Sequence, residues 1–244
     1  MRRNRPSSVE VPRDNFVASI FGQRGAGKTT LAQKIAREYS RVIYLDLLGQ
    51  YGGDKVYSVE GFCQWAEAKH EDETFEVSIR LDDTDDYLQV LHVAYEIVDY
   101  LLVAEETSYF CSPAGMPREL SKIVRYGRHR KISQLYLARR PSELHRDLTA
   151  QSDVIVSFYQ HEPRDIAYLA ACGVENAERV RHLRQFKCAA FGRIETAPLA
   201  IIEAMERSGE QQSLKFGETD AAPAPNAGEN DIDEPGASEV ASGS

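Results

Sequence analysis

The segment Gly22-Gln23-Arg24-Gly25-Ala26-Gly27-Lys28-Thr29 constrains this chain more than any other. Its spacing is G-x-x-x-x-G-K-[ST]. It stands between an apolar run at residues 16–21 (FVASIF) and a stretch at 29–39 with apolar residues at helical spacing. A strand, a glycine loop and a helix in that order form a phosphate cradle. Glycines let the loop turn its backbone N–H groups inward, and the helix presents its positive end to the same anion. The expected phosphate-binding residues are Gly22, Gln23, Arg24, Gly25, Ala26, Gly27, Lys28, Thr29 and Thr30. Lys28 is placed to reach the β- and γ-phosphates of ATP, and the Thr29 hydroxyl to ligate Mg²⁺. A chance glycine-rich turn would lack the flanking strand and helix. The loop implies a nucleotide but no particular reaction.

The rest of the chain alternates in the same way. Strands are expected at 41–45, 75–80, 100–104, 133–138 and 154–158, and a strand or hairpin at 187–194. Helices are expected at 61–69, which carries the only tryptophan, Trp65, and at 85–99, 117–127, 164–171 and 175–183. A short helix or turn fits 142–148, and a loop fits GQYGG at 49–53. Strands alternating with helices predict an α/β domain with a mostly parallel central sheet flanked by helices. With 244 residues, 42% of them hydrophobic, there is material for one domain with a full core. We place that domain at 15–207, after a basic arm at 1–14 and before an acidic tail at 208–244. The tail is rich in Ala, Pro, Gly and Ser and is expected to be disordered.

Residues 100–106 read Tyr-Leu-Leu-Val-Ala-Glu-Glu. An apolar strand ending in acids has the form of a Walker B strand. Glu105 would then belong to the Mg²⁺ shell, and Glu106 would act as general base or orient the attacking water. A second acid favours hydrolysis over phosphoryl transfer to a small molecule. The plain alternative is a strand that ends in a solvated acidic turn. Asp46 closes strand 41–45, either at the ligand crevice or as the cap of the following turn.

A net charge of −9 argues against a nucleic-acid partner until it is divided along the chain. Residues 208–244 hold eight acids and one Lys, and residues 71–106 hold twelve acids and one Arg. Residues 118–146 hold nine Lys and Arg against Glu119 and Glu143, enough for a basic face. A solvated charged helix is the simpler account of such a run.

The segment from Arg125 to Ser142, YGRHRKISQLYLARRPS after its first arginine, resembles the region that follows Walker B in the HerA/FtsK superfamily of DNA-pumping ATPases. There an Arg-rich turn, a strand and a polar-Arg-Pro-Ser tip follow in this order. The likeness extends to the P-loop, to the D-x-x-G-x-Y pattern at Asp46, Gly49 and Tyr51, and to Walker B, spanning roughly residues 15–195. Within that superfamily the chain looks most like the genome-packaging ATPases of membrane-containing, tailless double-stranded DNA viruses. The resemblance implies a RecA-like P-loop core that hydrolyses ATP with Mg²⁺ and pumps double-stranded DNA without regard to sequence. It also implies a homo-oligomeric ring of five or six subunits, at work in the host cytoplasm or at the packaging vertex of the virion, with capsid or membrane proteins as neighbours. Arg128 matches the arginine finger that reaches an adjacent subunit's nucleotide, with Arg125 as the other choice. The chain departs from the family at Arg139, where a Gln γ-phosphate sensor is usual. An Arg contacts phosphate by charge but does not orient water as an amide does.

Other signals are weaker. Arg179, Arg181, Arg184, Lys187 and Arg193 form a sparser basic set, suited to a DNA channel or to a plain surface. Cys63, Cys111, Cys172 and Cys188 show no ligand spacing and read as reduced thiols. No apolar run reaches the roughly 20 residues of a membrane span, and no signal peptide is expected behind Arg2, Arg3 and Arg5. Two other functions fit parts of the pattern. A small-molecule or nucleotide kinase shares the P-loop but leaves the paired acids unexplained. A superfamily ATPase for phage assembly, secretion or DNA transfer shares all the motifs.

Overall fold

The computed structural model describes residues 15–194 and 197–208. The basic arm and the tail from residue 209 lie outside them. Chain order is β1 (Val17–Phe21), α1 (Lys28–Ala36), β2 (Arg41–Leu45), β3 (Asp54–Val56), α2 (Val59–Lys69), β4 (Phe75–Ile79), α3 (Thr84–Glu96) and β5 (Tyr100–Ala104). It continues with α4 (Arg118–Tyr126), β6 (Ile132–Ala138), α5 (Arg146–Ala150), β7 (Val154–Ser157), α6 (Pro163–Ala171), β8 (Ala189–Gly192) and α7 (Leu199–Ser208).

Eight strands form one sheet in the order β3-β4-β2-β5-β6-β1-β7-β8. All neighbours pair in parallel except β7 and β8, which are antiparallel. The strands are apolar on both faces because helices cover both. Alternation sorts their side chains into two cores. Ala18, Ile20, Val42, Leu101, Val103, Leu135 and Leu137 point to α1 and α7, where they meet Leu31, Ile35, Ile201 and Met205. Phe21, Ile43, Leu45, Leu102 and Tyr136 point the other way, to α2, α3, α4 and α6, among them Phe62, Trp65, Leu91, Ile123 and Leu169.

Three elements differ from the sequence expectation. β3 follows directly on the glycine loop as a three-residue edge strand paired to β4. Residues 175–183 form not an α-helix but a 3₁₀ helix, Ala177–His182, entered through Asn176 in a left-handed conformation. α7 had no sequence signal of its own. Its N-terminus is held by the Glu38 carboxylate, which accepts hydrogen bonds from the Leu199 and Ala200 amides at 3.0 and 2.8 Å. Among the described residues no helix is long and apolar enough to cross a membrane. Of the four thiols, Cys111 and Cys188 are buried and Cys63 and Cys172 are partly exposed, and none of them forms a disulfide.

Candidate nucleotide-binding site

Parallel strands bring the motif residues to one edge of the sheet. β1 runs into the glycine loop, β2 into Asp46, β5 into Glu105 and β6 into Arg139, all at the C-terminal ends of strands where open sheets bind ligands. Gly25 and Gly27 have φ of 75° and 115°, conformations that a side chain would strain. Gly27 caps α1 without any side-chain bond, which leaves the first amides of the helix free for an anion. The Lys28 ammonium is buried and donates to the Gly22 carbonyl at 2.8 Å. Burial lowers its pKa, against the raising pull of Glu106 and Glu105.

The P-loop and the acidic strand meet at Thr29. The Thr29 hydroxyl donates to Glu105 Oε1 at 2.8 Å, although β6 stands between β1 and β5 in the sheet. The other carboxylate oxygen, Oε2, is buried with no hydrogen-bond partner among the described residues. Burial raises the Glu105 pKa, and the Thr29 bond opposes it. A partly buried hydroxyl beside a carboxylate with a spare oxygen suits Mg²⁺, which takes one or two protein ligands and fills its octahedron with water and phosphate oxygens. Tyr51 stacks on Tyr44 with ring centroids 4.3 Å apart, and its hydroxyl is buried beside Thr29 and Glu105. Asp46 is fully buried at the end of β2 and caps the next turn, accepting from the Gln50 and Tyr51 amides at 2.8 and 3.1 Å and from the Ser78 hydroxyl at 2.6 Å.

Glu106 follows with φ 46° and ψ 49°, a left-handed backbone uncommon outside glycine. Its carboxylate receives Arg139 Nε at 3.1 Å. The proposed base and the residue at the sensor position thus form an ion pair with each other, with the Arg139 side chain 53% exposed and Glu106 16%.

No family model and no curated protein matches the chain by sequence. Solved structures do match. The genome-packaging NTPase B204 of Sulfolobus turreted icosahedral virus 2, in complex with AMP, has a TM-score of 0.61 at 17% identity, over 75% of this chain and 95% of B204. The B204 DNA-packaging ATPase of Sulfolobus turreted icosahedral virus scores 0.57 at 19% identity, over 77% and 96% of the two chains. VirB4 of Thermoanaerobacter pseudethanolicus scores 0.53 at 12%, over 77% and 91%. The fold is the one these proteins share, an eight-stranded, mostly parallel sheet flanked by helices. B204 has also been solved with AMPPCP and with ATP-gammaS, so this fold holds nucleotides in B204.

Other expected residues lie elsewhere in the fold. Arg128 sits in a 3₁₀ turn, Gly127–Arg130, just before β6, at the edge of the sheet opposite the P-loop. The seven residues of β6 span about 20 Å, so Arg128 does not reach the P-loop of its own chain. Its side chain is exposed, whereas Arg125 is engaged with Asp147 at 2.7 Å and Arg130 with Glu96 at 3.2 Å. In the sparser basic set, Arg181 pairs with Glu178 and Arg193 with Asp153, and Arg179 lies over the Phe191 ring.

Two buried polar residues had no sequence signal because each acts alone, outside any spaced motif. Gln160 Nε2 donates to the Arg139 carbonyl at 2.9 Å, and its Oε1 faces Gln23 Nε2 at 3.5 Å, which ties the P-loop to the end of β6. Asp165 is fully buried and receives Arg140 Nε at 2.9 Å and the Ser142 hydroxyl at 2.6 Å, fixing the loop that follows Arg139.

Proposed function

We propose that this chain is an ATPase that drives double-stranded DNA through a homo-oligomeric ring, as a motor that packages a viral genome into a preformed capsid. The observation that carries the reading is one arrangement. Lys28, Thr29, Glu105 and Glu106 gather at one edge of the sheet, and the exposed cations Arg128 and Lys131 lie near the other. The likeness to B204, a genome-packaging NTPase, points the same way.

In this reading the free amides of α1 and the Lys28 ammonium hold the β- and γ-phosphates of ATP. Thr29 and Glu105 would hold Mg²⁺, which when bound neutralises charge on the phosphate oxygens. Glu106 accepts a proton from the attacking water once its pair with Arg139 opens. Arg128 acts on the neighbouring subunit's nucleotide, because it lies too far from its own. Basic side chains grip the DNA backbone by charge alone, which suits a motor that must pass over any sequence. Such a motor works in the host cytoplasm or at the virion's packaging vertex, against capsid or membrane proteins. VirB4 has the same fold, so an ATPase for assembly, secretion or DNA transfer is the second reading.

The test is ATP turnover per subunit against protein concentration, with and without duplex DNA, alongside oligomer mass. The motor reading expects the rate to rise with both and the mass to be that of a ring. A per-subunit rate indifferent to concentration and DNA would point to a small-molecule kinase.

A further inference from the structure

Phe186 is costly to the fold in two independent ways. The Lys187 amide bonds the Arg184 carbonyl at 3.0 Å and closes a tight turn in which Phe186 is the third residue. Its φ is 63°, the left-handed conformation that glycine ordinarily supplies at that place in a turn. Its ring is also 66% exposed, although Phe is among the residues most often buried. The surrounding chain holds the turn in place. The Lys187 ammonium bonds the Arg207 carbonyl, and the Cys188 amide donates to the Ser208 hydroxyl at 3.0 Å, so the end of α7 anchors the segment from behind. Strain kept in place by its surroundings is a mark of function.

The neighbour of that ring is the P-loop. Phe186 Cδ1 lies 3.5 Å from where a Cβ on Gly27 would be, and Phe158 Cε1 lies 3.2 Å from the same point. Two rings thus flank Gly27, the Phe158 ring buried and the Phe186 ring open to solvent. Sheet order decides which part of a nucleotide comes near. Glu105 and Glu106 end β5, on one side of β1, while Phe186 precedes β8, on the other. A nucleoside triphosphate with its terminal phosphate toward the two acids leaves its nucleoside end on the β7–β8 side.

We propose that Phe186 is the platform on which the nucleobase of the bound nucleoside triphosphate stacks. The proposal rests on the ATPase reading above for the direction in which the triphosphate lies. A flat base covers the exposed ring face while its polar edge stays in water, so the apolar area that the fold leaves open is buried only in the complex.

Equilibrium binding of Mg²⁺-ATP and of inorganic tripolyphosphate to the full chain tests this, in the wild type, Phe186→Gly and Phe186→Trp. Phe186→Gly should weaken ATP about tenfold and leave tripolyphosphate unchanged. It should also unfold at no lower a temperature, because glycine fits the turn. Phe186→Trp should keep ATP affinity. The proposal fails if Phe186→Gly binds ATP as the wild type does, or if ATP and tripolyphosphate weaken together. It also fails if the variant loses oligomer mass without losing ATP, which would put a second copy of the chain on the ring. A wild type that binds neither ligand overturns the P-loop reading along with it.

Discussion

Glu106 and Arg139 set a problem of magnitude at the scale of single residues. Their ion pair, 3.1 Å long with Arg139 half exposed, contributes only about 0.2–1 kcal/mol. Opening it therefore slows turnover by no more than about fivefold, whereas a general base contributes about 10²–10⁴-fold. Two steady-state measurements follow. Glu106→Gln should still bind Mg²⁺-ATP and lose turnover by about 10²–10⁴. Arg139→Ala should change turnover by no more than about fivefold, upward. A drop beyond tenfold in Arg139→Ala would instead put its guanidinium on the transferring phosphoryl group. The P-loop was legible in the sequence because it works through backbone geometry, which glycine and spacing record directly. Gln160, Asp165 and Phe186 were not, because a lone Gln, Asp or Phe looks the same in sequence wherever it packs.

Elements were legible where a periodic face was long enough to read. α3 shows Tyr87, Val90, Leu91 and Ala94 on one buried face, and β5 and β6 are continuous apolar runs. β3 escaped because two of its three residues are exposed and its only signal is pairing with β4. Its junction with α2 can be followed by light. Trp65, the only tryptophan, donates Nε1–H to Asp54 Oδ2 at 2.9 Å and packs edge-on to Phe75. That hydrogen bond, with Lys69 nearby, holds the Asp54 pKa below its ordinary value. A lowered carboxyl pKa contributes stability above the unfolded value of about 3.9, and the contribution is lost as pH falls through the lower, folded value. Trp65 emission should therefore hold steady down to about pH 4 and shift below it. Asp54→Ala should give the shifted emission at neutral pH, and an unshifted spectrum would show that the bond does not hold the junction.

At the scale of the whole molecule, the sheet gathers the chemistry on one edge and leaves Arg128 on the other. A finger in trans makes a specific prediction. Arg128→Ala should bind ATP normally and lose turnover, and mixing it into wild-type rings should depress activity more than its share of subunits. A strictly proportional decline would mean that each subunit works alone. The sequence indicated α/β layering and parallel strands, but eleven positions in a line carry no direction in space, so it did not place Arg128 and the P-loop at opposite ends of β6. That separation fixes how copies meet. If Arg128 serves the next subunit, the strand-beginning edge of one protomer faces the strand-ending edge of its neighbour, a contact between two unlike surfaces rather than a twofold one. Every protomer then presents one socket and one plug, and only the rotation from each copy to the next decides whether the chain of copies closes on itself or grows as an open helix.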